Sequence, residues 1–444
     1  MNRFLLGLPI ASLAAVAACG GGSGSGSGAT DPSGNTIVTG DGTAVSEEAH
    51  SRWTAAVEQF QRFEGQGWNA QRCDQSIESF EGAVEAQGGG FTEALYMAGL
   101  SADRCNRTDQ AREFFNQALA SNEGFCKARA AIGVMQLDGG NQQEAFNTFQ
   151  RALRDDPRCT EAYVNVAMIQ RTRGADSFAE ALNNLRRALA IDSDYLPAFN
   201  QMALLYLDLA EVQNNNQRLD LAAVVCRQAQ LIDRDYAPIY NTWGLINVRK
   251  NNIIEALQMF ERATRLDNSM FEAHMNFGQI TLSFRGYEDA RNSFARAVEL
   301  NPRDYDALIG LGAAFRGLRN MQEAQSRYEA AIQLDGNRPE AYFNLGILYQ
   351  DYMSGSVEDL NRAKGFYQQF LSKAGNTARF SESVEAVNRR CQQQQSRRRR
   401  RRSTDCRPGR MQNIDTAIEA LTAAAEMQRQ MQQQQQQNQG GEGG

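Results

Sequence analysis

The sequence predicts an all-α protein, a solenoid of about eight to nine helix–turn–helix repeats over residues 49–378 of the 444. Three observations carry this. A block recurs with a period near 34, and its second half reads Ala-x3-aromatic-x2-Ala, as in Ala111-Phe115-Ala118, Ala145-Phe149-Ala152, Ala256-Phe260-Ala263, Ala290-Phe294-Ala297 and Ala324-Tyr328-Ala331. Its first half carries a small residue after an apolar one: Gly99, Gly133, Ala167, Ala203, Gly244, Gly278, Gly312 and Gly346, at steps of 34, 34, 36, 41, 34, 34 and 34. Both halves space their apolar residues at i, i+3 and i+4, the period of an amphipathic helix.

The elements follow in chain order. Residues 1–18 have a positive start at Arg3 and an apolar run from Phe4 to Ala18, the form of a secretory signal peptide. The run is short for a membrane span. It ends Val16-Ala17-Ala18-Cys19-Gly20, which resembles the bacterial lipobox. The resemblance implies that Cys19 carries lipid and becomes the mature N-terminus; an ordinary signal peptide with an incidental cysteine is the other reading. Gly20 is not the aspartate that retains such proteins at the inner membrane, so an outer-membrane anchor facing the periplasm is expected. Removing residues 1–18 also removes Arg3, so the net charge of −6 becomes 45 − 52 = −7. Residues 19–48, rich in Gly and Ser, read as a flexible tether. About 26 residues of such coil reach roughly 30 Å.

Within residues 49–378 each half-repeat has a job. The small residue admits the neighbouring helix, the aromatic fills the gap between paired helices, and the alanines keep the second helix narrow. Pro157, Pro197, Pro238, Pro302 and Pro339 punctuate the repeat junctions. The pattern resembles the tetratricopeptide repeat, a helix–turn–helix unit of 34 residues. Eight clear copies cover about 92–378 and a degenerate one, with Ser76-Phe80-Ala83, covers about 49–91. The resemblance implies a right-handed superhelix with first helices on its concave side. It says little about the ligand, because one scaffold serves many partners.

Three repeats are longer. From small residue to alanine the distance is normally 12, but 14 for Ala167–Ala181, 19 for Ala203–Ala222 and 17 for Gly346–Ala363. The extra residues are expected in turns that protrude from one edge, the longest a polar loop at Asn214-Asn215-Asn216-Gln217. Two readings stand, docking or tolerated loop drift. On the concave side, Asn165, Asn276 and Asn344 share one repeat position, and Asn200 and Asn241 sit one residue earlier. These amides form a candidate peptide groove, each with a donor and an acceptor; the other reading is that asparagine is common in such repeats. A basic clamp for a peptide carboxylate is not evident, Lys127 being the one lysine near an entry position.

Seven cysteines remain. Cys226 replaces the aromatic of its repeat and is expected buried and free. Cys73 with Cys105, Cys126 with Cys159, and Cys391 with Cys406 are candidate disulfides in an oxidising compartment, each contributing about 3 kcal/mol. With no Cys-x2-Cys spacing and only His50 and His274, no metal site and no cofactor are expected. His274 reads as a packed side chain.

Residues 379–390 are expected to add one helix. Residues 391–410 form a Gln/Arg-rich loop whose basic run is Arg397, Arg398, Arg399, Arg400, Arg401 and Arg402. It either meets phosphates or an acidic protein, or is a solvated low-complexity tract. Ile414, Ile418 and Leu421 mark a capping helix over 411–431, followed by a disordered tail at 432–444.

No phosphate loop, nucleophile elbow, paired carboxylates or histidine pair is present, so no enzyme and no small-molecule substrate are expected. The acidic balance argues against nucleic acid. The chain looks like the tetratricopeptide lipoproteins of bacterial envelope machines, in particular that of myxobacterial adventurous gliding motility. That implies a non-catalytic outer-membrane scaffold, held by its lipid, that binds envelope proteins through the concave face and inserted turns. The alternatives are a pilotin of type IV pilus or secretion assembly and a periplasmic, chaperone-like binder of a client peptide.

Overall fold

The computed structural model describes residues 29–31, 36–39, 42–353, 355–375, 377–389 and 409–440. Among them the fold is all-α, with twenty α-helices and isolated β-bridges only at Thr30–Thr36 and Val38–Ala44. The chain divides into two compact units, Met1–Asn252 and Ile253–Gly444.

In the first unit the helices are α1 (Glu47–Gln66), α2 (Ala70–Ala86), α3 (Thr92–Arg104), α4 (Thr108–Ser121), α5 (Cys126–Asp138), α6 (Gln142–Asp155), α7 (Thr160–Arg173), α8 (Phe178–Ile191), α9 (Leu196–Gln213), α10 (Asn216–Ile232) and α11 (Ala237–Arg249). The second unit holds α12 (Ile253–Leu266), α13 (Phe271–Ser283), α14 (Tyr287–Leu300), α15 (Tyr305–Gly317), α16 (Met321–Leu334), α17 (Glu340–Asp351), α18 (Val357–Ala374), α19 (Ser381–Asn388) and α20 (Arg410–Gly440). Among the described residues eighteen α-helices thus precede Gly375, the number that nine hairpins require.

The small residue and the aromatic are one packing device. A Cβ added at Gly133 would lie 2.5 Å from the Phe149 ring, and one at Gly346 would lie 2.5 Å from the Tyr367 ring. Gly99 with Phe115 and Gly312 with Tyr328 repeat the arrangement. The missing side chain of the first helix is therefore the seat of the second helix's ring. Phe115, Phe149, Phe294, Tyr328 and Tyr367 are all fully buried there, each worth about 1.5–3 kcal/mol.

Inter-repeat turns share a second device. The residue that follows α4, α6, α8, α10, α12, α14 and α16 is Asn or Asp, and its side chain accepts the N–H two residues on: Asn122 from Gly124, Asp156 from Arg158, Asp192 from Asp194, Asp233 from Asp235, Asp267 from Ser269, Asn301 from Arg303 and Asp335 from Asn337. Such Asx turns stop one helix and aim the next.

Four expectations need correction. The tether expected over 19–48 is docked in its second half. Ala29, Ile37 and Val45 are buried in one core cluster with Trp53 and Phe91, and the Ala29 N–H donates to the Val45 carbonyl at 2.8 Å. Apolar residues spaced among Thr and Gly suffice to cover the end of α1. The solenoid's first helix starts at Glu47, capped by Ser46, whose hydroxyl accepts from Ala49 N at 3.1 Å. The polar loop at Asn214–Gln217 is a two-residue turn, because Asn216 and Gln217 already belong to α10. Asn214 takes a left-handed φ of 47° and Asn215 accepts from Gln217 N. Finally, the capping helix does not stop at 431. Its backbone stays helical through Gly440, since glutamine is a good helix former and nothing there breaks a helix.

Candidate protein-interaction surface

The asparagines do not stand as a solvent-open row. Asn165 is buried, and its Nδ2 donates to the Glu161 carbonyl one turn back at 2.8 Å. Asn344 makes the same bond to Glu340 at 2.9 Å, while its Oδ1 accepts from Arg316. Asn200 Oδ1 accepts from Thr242 Oγ1 at 2.6 Å. Asn241 is buried and Asn276 half-buried. On a packed first helix the i−4 carbonyl, with its second lone pair, is the nearest partner for a short amide. The two readings of these residues thus part on burial, which a repeat position alone does not reveal.

The surface that does stand out is the extended α9–α10 hairpin. The residues inserted between Ala203 and Ala222 extend both helices, so α9 has 18 residues and α10 has 17, against 13 or 14 in α3 to α8. Four extra residues project the tip by about 6 Å. Arg249 pairs with Glu211 and Lys250 with Asp220, both at 2.6 Å, so α11 braces the tip. The outer face of α10 carries Leu221, Val224 and Leu231, 44%, 48% and 69% exposed, with Val212 at the end of α9 60% exposed. Spacings of three and seven place the α10 residues on one face, spread over about 15 Å. Arg227 is exposed on that face and has no carboxylate partner among the described residues. A lone exposed leucine is ordinary, but a stripe of this kind marks an interaction surface.

The other sequence-chosen residues fall as follows. Cys73 is joined to Cys105, with Cα atoms 6.4 Å apart, and Cys126 to Cys159, at 5.9 Å. Cys226 is buried and unpaired, and burial pushes its thiol pKa up to about 12. Beside the Cys126–Cys159 bridge lies a residue the sequence did not single out. The Glu161 carboxylate is buried, accepts from Thr160 Oγ1 at 3.1 Å, and sits 3.9 Å from each sulfur. Among the described residues no cationic side chain pairs with it.

His274 is buried, with Nε2 3.2 Å from the Asn268 carbonyl. Burial lowers its pKa, and the Arg296 charge adds to that against the opposing Asn268 bond and the charges of Asp267 and Glu299. The folded state therefore binds this proton less readily than the unfolded chain. Stability from His274 is fully present above the ordinary histidine pKa near 6.5 and falls as pH drops below it. We expect His274→Gln to flatten the dependence of the melting temperature on pH between 7 and 5. An unchanged slope in thermal scans would reject the assignment.

Residues 1–28 and 390–408 lie outside the described residues, and with them Cys19, Cys391, Cys406 and Arg397–Arg402. The base of the basic segment is closed, for Gly409 N donates to the Arg389 carbonyl at 2.7 Å. Beyond it α20 docks through buried Ile414, the Lys364–Asp415 pair at 2.6 Å and Arg410 bound to Asp351. Among the described residues no helix is long and apolar enough to cross a membrane.

A family model described as the tetratricopeptide repeat matches residues 67–124 and 276–339. The mitochondrial import receptor subunit TOM70 of Homo sapiens is 28% identical over 134 residues, which is 30% of this chain and 21% of that protein. The chain thus aligns with about a fifth of this relative's length. Among solved structures, the APC/C hetero-tetramer Cut9-Hcn1 gives a TM-score of 0.52 at 13% identity, over 67% of this chain and 55% of that one. Yeast Tom70 gives 0.46 at 15% identity, over 77% and 68%. The matched model is that of a repeat and not of an enzyme, and the fold is an all-α solenoid of the tetratricopeptide-repeat type.

Proposed function

We infer that this protein is a non-catalytic scaffold that gathers protein partners at a membrane, and that its principal docking element is the extended α9–α10 hairpin. The observation that carries the reading is the apolar stripe of Leu221, Val224 and Leu231 on a braced, protruding helix pair. A partner suited to it offers an apolar ridge and a carboxylate for Arg227. Many such contacts along one repeat array add by avidity once the array is held in place.

The lipobox-like Val16-Ala17-Ala18-Cys19 supports a lipid anchor at Cys19, and Gly20 supports the outer membrane as its place. The docked segment from Ala29 shortens the tether. Ten residue steps from Cys19 to Ala29 reach at most about 35 Å even when fully extended. The amino-terminal end of the first unit then works within that distance of the lipid surface. Resemblance to the lipoproteins of bacterial envelope machines makes gliding motility the first setting to test.

The test is labelling of cells with a fatty acid, followed by fractionation. Wild-type protein is expected to carry label and to sediment with outer membranes, and Cys19→Ala to lose both. Label retained in Cys19→Ala, or unlabelled wild type, overturns the anchor. In vivo crosslinking from α10 tests the scaffold separately: envelope proteins are the expected captures, and recovery of none rejects it.

A further inference from the structure

We propose that, when the Cys126–Cys159 bridge is reduced, Cys126, Cys159 and Glu161 form a binding site for a thiolate-seeking divalent cation of the zinc class. The site stands apart from the docking surface and does not depend on it.

Geometry comes first. The two sulfurs and the Glu161 oxygen all lie within 4.8 Å of one another, and all three residues are buried. A tetrahedral zinc with bonds of about 2.3 Å to sulfur and 2.0–2.2 Å to oxygen has sulfur–oxygen edges of about 3.5 Å and a sulfur–sulfur edge of about 3.8 Å. The observed sulfur–oxygen separations of 3.9 Å are within a few tenths of that. Reduction frees the sulfurs to part to the required edge. Water takes the fourth position.

Electrostatics points the same way. Cys126 opens α5, Cys159 precedes α7 and Glu161 lies in the first turn of α7. Three potential anions therefore gather at two helix amino ends, where negative charge is favoured. Among the described residues the Glu161 carboxylate accepts from the Thr160 hydroxyl and meets the two sulfurs, with the buried tyrosines Tyr96 and Tyr195 within electrostatic reach and no cation paired to it. A buried carboxylate without a cation is costly, and a bound divalent ion removes that cost.

The chemistry balances. A dithiol supplies two electrons and two protons, breaks the Cys126–Cys159 bond and leaves as its own disulfide. The cation then replaces the two thiol protons and binds two thiolates and the carboxylate, releasing two protons. A small-molecule disulfide restores the bridge: it takes two electrons from the two thiolates and two protons from solvent, leaves as its own dithiol, and the ion is expelled. The site is a redox-gated exchange of a covalent link for a metal link between α5 and α7.

The experiment uses the full chain, reduced with a non-chelating phosphine, freed of it without air, loaded with Zn(II) or Co(II) and desalted. Expected are one equivalent of metal lost on Cys126→Ser or Cys159→Ser, a thiolate-to-cobalt charge-transfer band in the near ultraviolet, and binding at least tenfold weaker in Glu161→Gln. Cys73→Ser and Cys226→Ser should leave that equivalent in place. Circular dichroism confirms that each variant is folded, and if the serine variants do not fold, Glu161→Gln and the cobalt band decide. No retained metal, metal retained equally in the oxidised protein, or binding indifferent to Glu161→Gln overturns the proposal.

Discussion

Phe149→Ala is expected to destabilise the first unit by about 3–5 kcal/mol, the range for emptying a packed aromatic site. The ring is fully buried and fills the space that Gly133 leaves open. The coupling between these two positions sharpens the expectation. Alone, Gly133→Ala drives a Cβ to within 2.5 Å of the ring. That overpacking costs about 1–3 kcal/mol, set against roughly 1 kcal/mol gained by replacing a helical glycine. With Phe149 already cut to alanine the clash is gone and only the gain remains. Gly133→Ala should therefore switch from unfavourable to favourable between the two backgrounds. A double-mutant cycle by urea unfolding reads this directly, and additive effects would show that ring and glycine are not one device. Because repeats couple mainly to their neighbours, hydrogen exchange should place the loss in α5 and α6 first.

That device was legible in the sequence because it obeys a period. Gly133 and Phe149 recur in register with Gly312 and Tyr328, so spacing alone assigned both to helices facing each other. The Asx turns at Asp156, Asp192 and their equivalents keep the same steps and are legible in the same way. Features that break the period were harder. The residues between Ala203 and Ala222 look polar around Asn214, and a polar insertion reads equally as a loop or as two longer helices. The choice fell to helix because Leu-Tyr-Leu-Asp-Leu-Ala-Glu-Val continues α9 without a breaker. The asparagine column is periodic but its direction is not written in the period, since Asn165 turns back on Glu161 through a bond that depends on burial. Glu161 itself was invisible as a site. Its partners Cys126 and Cys159 lie 35 and 2 positions away, and only the packing of α5 on α7 brings all three together.

The stripe on α10 gives the second large effect, and its logic is the reverse of the first. Leu221 and Leu231 are 44% and 69% exposed, so aspartate at both positions removes little from the core. Stability should stay within about 0.5 kcal/mol for each change, as for ordinary surface positions. If these side chains are the anchors of a docked partner, each costs about 2 kcal/mol or more on truncation, and burying an unpaired carboxylate adds to it. The double variant should then capture partners at least about 30-fold less well in a crosslinking or pull-down assay. Arg227→Glu tests the electrostatic half, since reversing the charge repels the carboxylate that the partner offers. Asn165→Ala and Asn344→Ala separate this surface from the concave face. Capture that survives Leu221→Asp/Leu231→Asp but fails in the asparagine variants would move the binding site into the groove. Loss in the α10 variant with the asparagine variants intact requires an array that works from its outer edge, where the hairpin projects and apolar side chains already face solvent.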